Sequence, residues 1–387
     1  MKEKIIFIIL LCALLVVITG VLFRQFQFKE ENNDYSSEKS DDELQKRIGQ
    51  MLIVGFRGTE ISEDSYITKA MRDLNLGGVI LFDFDAPSKS FPRNILNPEQ
   101  TKTLIKNLKE FSSASLMIAV DAEGGLINRL KEKYGFIHIP SHQELGEKDD
   151  INETKKISSG LAKELSELGF NTNFAPVADV NINSGNPVIG SLERSFSANP
   201  SKVASHAQAF IEGQHEYNII TSIKHFPGHG SSKEDSHKGM ADITETYQEE
   251  EMVPYQELIK NKSADMVMTA HIINKKIDPD YPATLSPFFI EEILRKQLNF
   301  KGVVVSDDMQ MGAITENYGF EEALIRAINA GCDLLIISNN GNIYDETAPY
   351  QARDIIFNAV KEGKIPIERI IESSDRIYTL KSKFGVI

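Results

Sequence analysis

The chain has 387 residues, 41% hydrophobic and 25% charged, which is ordinary for a globular protein and long enough to build a full-sized core. Lys+Arg 42 against Asp+Glu 56 gives a net charge of −14, which argues against nucleic acid as a partner, because phosphate binding needs clustered positive charge. The two cysteines, Cys12 and Cys332, sit in separate apolar stretches and exclude a disulfide framework or a C-x-x-C metal site.

The first element in chain order is the run from Ile5 to Phe23, which follows Lys2 and Lys4 and carries no charge. At about 1.5 Å per residue it spans a hydrocarbon core of roughly 30 Å. No small-x-small cleavage site follows promptly, so residues 1–24 read as an uncleaved signal anchor, with a cleaved signal peptide as the alternative. The expectation is a cell-membrane protein with its catalytic part outside, or a secreted one if the segment is removed. Residues 25–44 form a polar linker, and KEENNDYSSEKSDD, from Lys29 to Asp42, reads as a flexible stalk.

From residue 45 to 387 short apolar runs alternate with longer helical patterns. The runs begin at Met51, Gly77, Ser115, Thr172, Asn218, Ala264, Lys301 and Asp333. Continuous apolar runs mark strands buried on both faces, as in a parallel sheet. A helix is expected over Glu153–Gly169, where Ile157, Leu161, Leu165 and Leu168 form one face and Gly169 ends it. The stretches LNLGGV, LGFNTN, LNFKGV and NAGCD place Gly or Asn where a helix-to-strand loop wants one. Eight such units specify an α/β fold, a single TIM-like (β/α)8 barrel or, alternatively, a doubly wound open sheet. Polar residues follow nearly every run: Asp83, Asp121, Asp179, Lys224-His225, His271 and Asp307. Only a barrel brings all those ends to one rim, which favours the barrel.

Three clusters could do chemistry. VDAEGGLINRL contains Asp121 and Arg129, and a carboxylate with a guanidinium can grip sugar hydroxyls. IKHFPGHGSSKEDSH contains Lys224, His225, His229, Asp235 and His237. Zinc must be weighed there, but Pro227-Gly228 prevents His225 and His229 from sharing a helical face. Asp235 and His237, two apart in an extended stretch, would share a side, and the carboxylate would orient the imidazole as a general acid/base. VVVSDDMQM ends a strand at Asp307, the better nucleophile candidate, with Asp308 reading as the N-cap of the next helix. Each cluster alone also suits capping or surface ion pairs; their common place at strand ends raises their weight.

Taken together, DAEGG…R, NPVIGSLERSF, KHFPGHG…DSH and SDDMQMGAI resemble the bacterial β-N-acetylglucosaminidase branch of glycoside hydrolase family 3, from about Gln45 to the C-terminus. The resemblance implies Asp307 as nucleophile and His237, oriented by Asp235, as acid/base. It implies that Asp121, Arg129, Arg194, Lys224 and His225 hold the sugar beside the scissile bond. It implies no metal and no organic cofactor, a carbohydrate substrate such as a muropeptide, and a monomer. Leu126 and Ile127 depart from the family pattern after EGG, and SLE before RSF is slightly long. With no Trp in the chain, a stacking platform must come from Tyr or Phe. The glycines of the Gly228–Asp235 loop read as a hinge for His237. Members of the family often carry a C-terminal sandwich domain, so here the site is expected to be complete within one barrel. The competing readings are a family 3 β-glucosidase or N-acetylglucosaminide phosphorylase, a zinc hydrolase, and a non-catalytic membrane-tethered wall-binding module.

Overall fold

The computed structural model describes residues 40–235 and 239–387. The expected anchor, most of the stalk, and His237 lie outside the described residues. The chain divides into two units, Met1–Lys46 and Arg47–Ile387. In the first, residues 40–46 are helical, so the last residues assigned to the stalk belong to a helix. Within it Asp42 pairs with Lys46 one turn on at 2.6 Å. Among the described residues no helix is long and apolar enough to cross a membrane.

The second unit is a closed barrel of eight parallel strands: β1 (Leu52–Gly55), β2 (Gly78–Ile80), β3 (Met117–Val120), β4 (Thr172–Asn173), β5 (Ile220–Phe226), β6 (Met266–Thr269), β7 (Val303–Asp308) and β8 (Leu334–Ile337). Each strand pairs with its neighbours in chain order, and β1 closes the ring against β8, with Ile53 facing Gly78 on one side and Ile336 on the other. Every strand is buried end to end except the last two residues of β7. That is why the runs read as continuously apolar: both faces of each strand are covered. All eight expected strands are present, and the closed ring decides against the open sheet.

A helix follows each strand in turn: Tyr66–Leu74, Pro98–Phe111, Ile151–Leu168, Pro200–His215, Val253–Lys260, the π-helix Phe288–Gln297, Phe320–Ala330 and Ala348–Lys361. The helix expected from Glu153 starts at Ile151 because Asp150 caps it, accepting from the Asn152 and Glu153 amides; it ends at Gly169, whose φ of 100° is the left-handed stop. The other marked loops turn the same way, with Asn75 at φ 53°, Asn299 at 57° and Gly331 at 118°. These tight returns deliver each helix to the next strand, so the longer strand-to-helix loops all gather on the opposite rim.

At the other end of the barrel Lys381, on the helix Ile367–Lys383, is 1% exposed. Its ammonium donates to Gln50 Oε1, Gly77 O and Ser115 O at 2.8, 2.9 and 2.7 Å, stitching three separate segments together. Cys332 is buried at the start of β8, as expected from NAGCD.

Candidate active site

The C-terminal rim of the barrel opens into a cavity of about 560 Å³. Asp121, Arg129, Arg194, Lys224, His225 and Asp307 all line it, although they come from β3, β4, β5 and β7 or the loops after them. Asp235 is described but is not among the lining residues, and His237 lies outside the described residues, so their pairing is untested by the structure.

The floor is a charge network. After β3 the chain folds into a small hairpin, Ala122–Gly124 against Ile127–Asn128, turned by Gly124 and Gly125 at φ 111° and 54°. Asp121 and Glu123, two apart in extended backbone, reach the same cation. Lys224 donates to Asp121 Oδ1 at 2.9 Å, and its Nζ lies 2.7 Å from Glu123 Oε1. Arg194 grips Glu123 with two parallel bonds, Nε to Oε2 and Nη2 to Oε1, both 2.8 Å. Arg129 Nη2 stands 3.7 Å from Asp121 Oδ2. Burial opposes ionisation of Glu123, yet the Arg194 and Lys224 charges outweigh it and hold the carboxyl well below its usual range. Burial likewise opposes the Lys224 charge, and Asp121 and Glu123 reverse that, raising it.

His225 is held from both ring nitrogens. A guanidinium can only donate, so Arg194 Nη2, 3.1 Å away, donates to Nε2, and Nδ1 carries the proton that Asp179 Oδ2 accepts at 2.7 Å. Asp179 is fully buried and also accepts the backbone amides of His225 and His229. Burial works against its charge, and the histidines beside it lower its pKa nonetheless.

The nucleophile candidate sits on a distorted strand end. The register of β7 against β8 slips between Val305 and Asp308, opposite Leu334 and Ile336, a bulge of one extra residue. Ser306 Oγ takes up the Ile336 amide at 3.1 Å in place of a ladder bond. Asp307 is therefore the penultimate strand residue rather than the last. Asp308 is not the cap of a helix: the next helix, Gly312–Tyr318, starts after Met311. Instead Asp308 accepts the Ser338 and Gln310 amides at 3.1 and 3.2 Å, joining the ends of β7 and β8. Burial pushes its carboxyl up, to about 6.

Other sequence readings change with the packing. Phe82, Phe84 and Phe174 line the cavity, so its aromatic surface comes from phenylalanine. Ile127 is part of the wall, whereas Leu126 is 60% exposed, so that departure from the family pattern is a solvent position. In the loop after β5 the glycines allow close backbone approach: a Cβ on Gly230 would lie 1.7 Å from Val180 O, and one on Gly228 2.7 Å from Glu251 Cβ. They permit close backbone packing, and residues 227–232 are all buried. Three of the polar strand ends do not line the cavity: Asp179 holds His225 as described above, and the other two brace the rim. Asp83 pairs with Lys131 at 2.6 Å, and the His271 ring bridges Thr284 Oγ1 and the Asp308 carbonyl. Among the described residues, no group of three or more His, Cys, Asp or Glu could hold a metal ion.

Glu123 stands in the DAEGG motif and Asp179 among the polar strand ends, yet the sequence assigns neither a role. The alternation of Asp121 and Glu123 was the available signal for the first. Nothing in the sequence said that Asp179 would meet His225 from the neighbouring strand.

Comparison with known proteins shows the family and the fold. The profile of the glycosyl hydrolase family 3 N-terminal domain matches residues 43–380. The chain is 34% identical over 334 residues to a β-hexosaminidase of Idiomarina loihiensis, covering 84% of this chain and 94% of that protein. It is 35% identical over 296 residues to a β-hexosaminidase of Tolumonas auensis, covering 75% and 83%. Among solved structures, a family 3 β-N-acetylglucosaminidase from Paenibacillus sp. FPU-7 superposes with a TM-score of 0.80 at 33% identity, over 88% of this chain and 62% of that longer one. A β-N-acetylhexosaminidase from Beutenbergia cavernae gives 0.76 at 25% identity, over 88% and 98%.

Proposed function

This chain belongs to glycosyl hydrolase family 3, and from that premise we propose that it is a retaining β-N-acetylglucosaminidase acting by double displacement. The observation that carries the reading is the convergence of Asp121, Arg129, Arg194, Lys224, His225 and Asp307 on one cavity. Asp121, Arg129, Lys224, Arg194 and His225 orient the terminal N-acetylglucosamine through its hydroxyls, with the Lys224 and Arg194 charges balanced by Asp121 and Glu123 and the His225 ring held by Asp179. Asp307 attacks the anomeric carbon while His237 protonates the departing oxygen. His237 then takes a proton from water, which releases the sugar from Asp307.

A histidine acid/base, with Asp235 behind it, places no second negative charge beside the nucleophile. The reaction as written uses no metal or organic cofactor. The uncharged run at residues 5–23 supports a catalytic unit displayed outside the cell membrane, where fragments of peptidoglycan carrying N-acetylglucosamine are the fitting substrate. A monomer suffices, because the proposed sugar-binding set and nucleophile come from one chain. Labelling with a fluorinated N-acetylglucosamine analogue followed by peptide mapping tests the assignment: the label is expected on Asp307, and a label on any other carboxylate refutes it. Release of p-nitrophenol from the N-acetylglucosaminide and the glucoside, with and without phosphate, separates hydrolysis from the glucosidase and phosphorylase alternatives.

A further inference from the structure

The turn from His225 to Ser231 is pinned from two sides by buried carboxylates. On one side Asp179 accepts the amides of His225 and His229. On the other, Glu251, which the mechanism above does not use, is 0% exposed and accepts the Ser231 amide on Oε2 at 3.1 Å. Its second oxygen, Oε1, accepts the Gln248 amide at 3.3 Å. Gly228 rests directly on the Glu251 side chain, where a Cβ would come within 2.7 Å. His225 and His229, which line the cavity, both belong to this turn.

We propose that Glu251 is a positioning residue for the glycosidase reaction: its carboxylate holds the His225–Ser231 turn from behind and so sets where His225 and His229 stand against the sugar. The proposal rests on the site assigned above. Both Glu251 oxygens are occupied by N–H donors, and only the ionised carboxylate offers two bare acceptors. A protonated carboxyl makes one oxygen a donor and a weaker acceptor, so its hold on one of the two amides loosens.

The surroundings make that change reachable at ordinary pH. Burial raises the Glu251 carboxyl to about 7, against the hydrogen bonds from Ser231 and Gln248, and the Asp179 carboxylate pushes the same way. Among the described residues Tyr247 and Tyr255 also feel its charge; their own pKa values are raised by burial and by Glu251, so both stay neutral across that range. As pH rises through about 7, Glu251 gains its charge and its hold on both amides.

The test measures kcat and KM for p-nitrophenyl N-acetyl-β-glucosaminide between pH 5.5 and 8.5 in the full chain, in Glu251→Gln and in Glu251→Ala, with Asp307→Ala as the control on the site. The glutamine has one acceptor oxygen at every pH and so mimics the protonated acid. Wild type and Glu251→Gln are expected to match at the acid end, and the wild type to lead roughly tenfold in kcat at the alkaline end, the size of one hydrogen bond to a charged group. Glu251→Ala loses both acceptors and is expected to fall by at least that factor throughout; if it fails to fold, Glu251→Gln alone carries the test. A ratio of wild type to Glu251→Gln that does not change with pH overturns the role of Glu251 and leaves the Asp307 assignment standing. Turnover by Asp307→Ala overturns both.

Discussion

Removing the charge of Glu123 tests whether the cavity floor is a single electrostatic unit. Glu123→Gln keeps the shape of the side chain but leaves one acceptor oxygen where two stood, and turns an amide NH2 toward donors. In the wild type the two oxygens take both arms of Arg194 at 2.8 Å and stand against Lys224 at 2.7 Å, in a place where Glu123 is 2% exposed. Deleting one partner of a buried pair leaves the other charge uncompensated, at a cost of about 3–5 kcal/mol. Asp121 still faces Lys224 at 2.9 Å, which puts the expected loss at the lower end, about 3 kcal/mol.

Chemical denaturation at pH 7 should therefore show a lower midpoint for the variant. The pH dependence has a definite sign. The folded-state pKa of Glu123 is depressed, so its contribution is complete above the ordinary value of 4.5 and is lost only as pH falls below it. The stability gap between wild type and variant should be flat from pH 8 to about 5 and narrow in more acid solution. Because Arg194 also holds His225 Nε2, kcat/KM should fall roughly a hundredfold, equivalent to about 2.7 kcal/mol of lost transition-state binding. A variant with wild-type midpoint and wild-type kcat/KM would refute the idea that Glu123 organises the floor. A gap that closes between pH 8 and 6 would refute the electrostatic account of it.

Asp179→Asn replaces an acceptor-only group with an amide and disturbs the His225 tautomer, so kcat/KM should drop by roughly 10- to 100-fold, as for one lost charge-assisted hydrogen bond; unchanged kinetics would count against that orienting role. Gly230→Ala forces a Cβ into Val180 O at 1.7 Å and should yield little folded protein, whereas Gly160→Ala, on an exposed helical site with nothing within 4 Å, should stabilise by about 0.5–1 kcal/mol; thermal melts read both. Lys381→Met leaves Gln50 Oε1, Gly77 O and Ser115 O without their donor and should destabilise by about 3 kcal/mol or more at pH 6 in denaturant unfolding. Burial lowers Lys381 to about 7, so above that pH the unfolded chain binds the extra proton and wild-type stability should climb toward pH 10; the methionine variant should lack that slope.

The barrel was legible because its strands are parallel and covered on both faces, which writes each one as an unbroken apolar run. MLIVGF, GGVILF and DLLIIS needed no partner to be recognised, and the left-handed residues Asn75, Gly169, Asn299 and Gly331 announced the turns between helix and strand. The strand ends were less legible. TNFAPVADV supplies only two residues of ladder, and β7 runs on to Asp308 through a bulge that no local pattern encodes. At the glycines of the loop after β5, sequence shows a missing side chain but not the Val180 carbonyl or Glu251 that packs in its place.

What the amino-acid order determined by itself was the list of chemical groups and the elements that carry them: Asp121, Arg129, Arg194, Lys224, His225 and Asp307. What only the tertiary structure decided was which of the polar groups pair with one another. Asp121 and Lys224 lie 103 positions apart, Glu123 and Arg194 71, and Asp179 and His225 46. Such pairs exist only once the sheet has closed. Burial then makes the ionisation of Glu123 depend on Arg194 and Lys224, and so the working charge state of the floor belongs to the closed barrel.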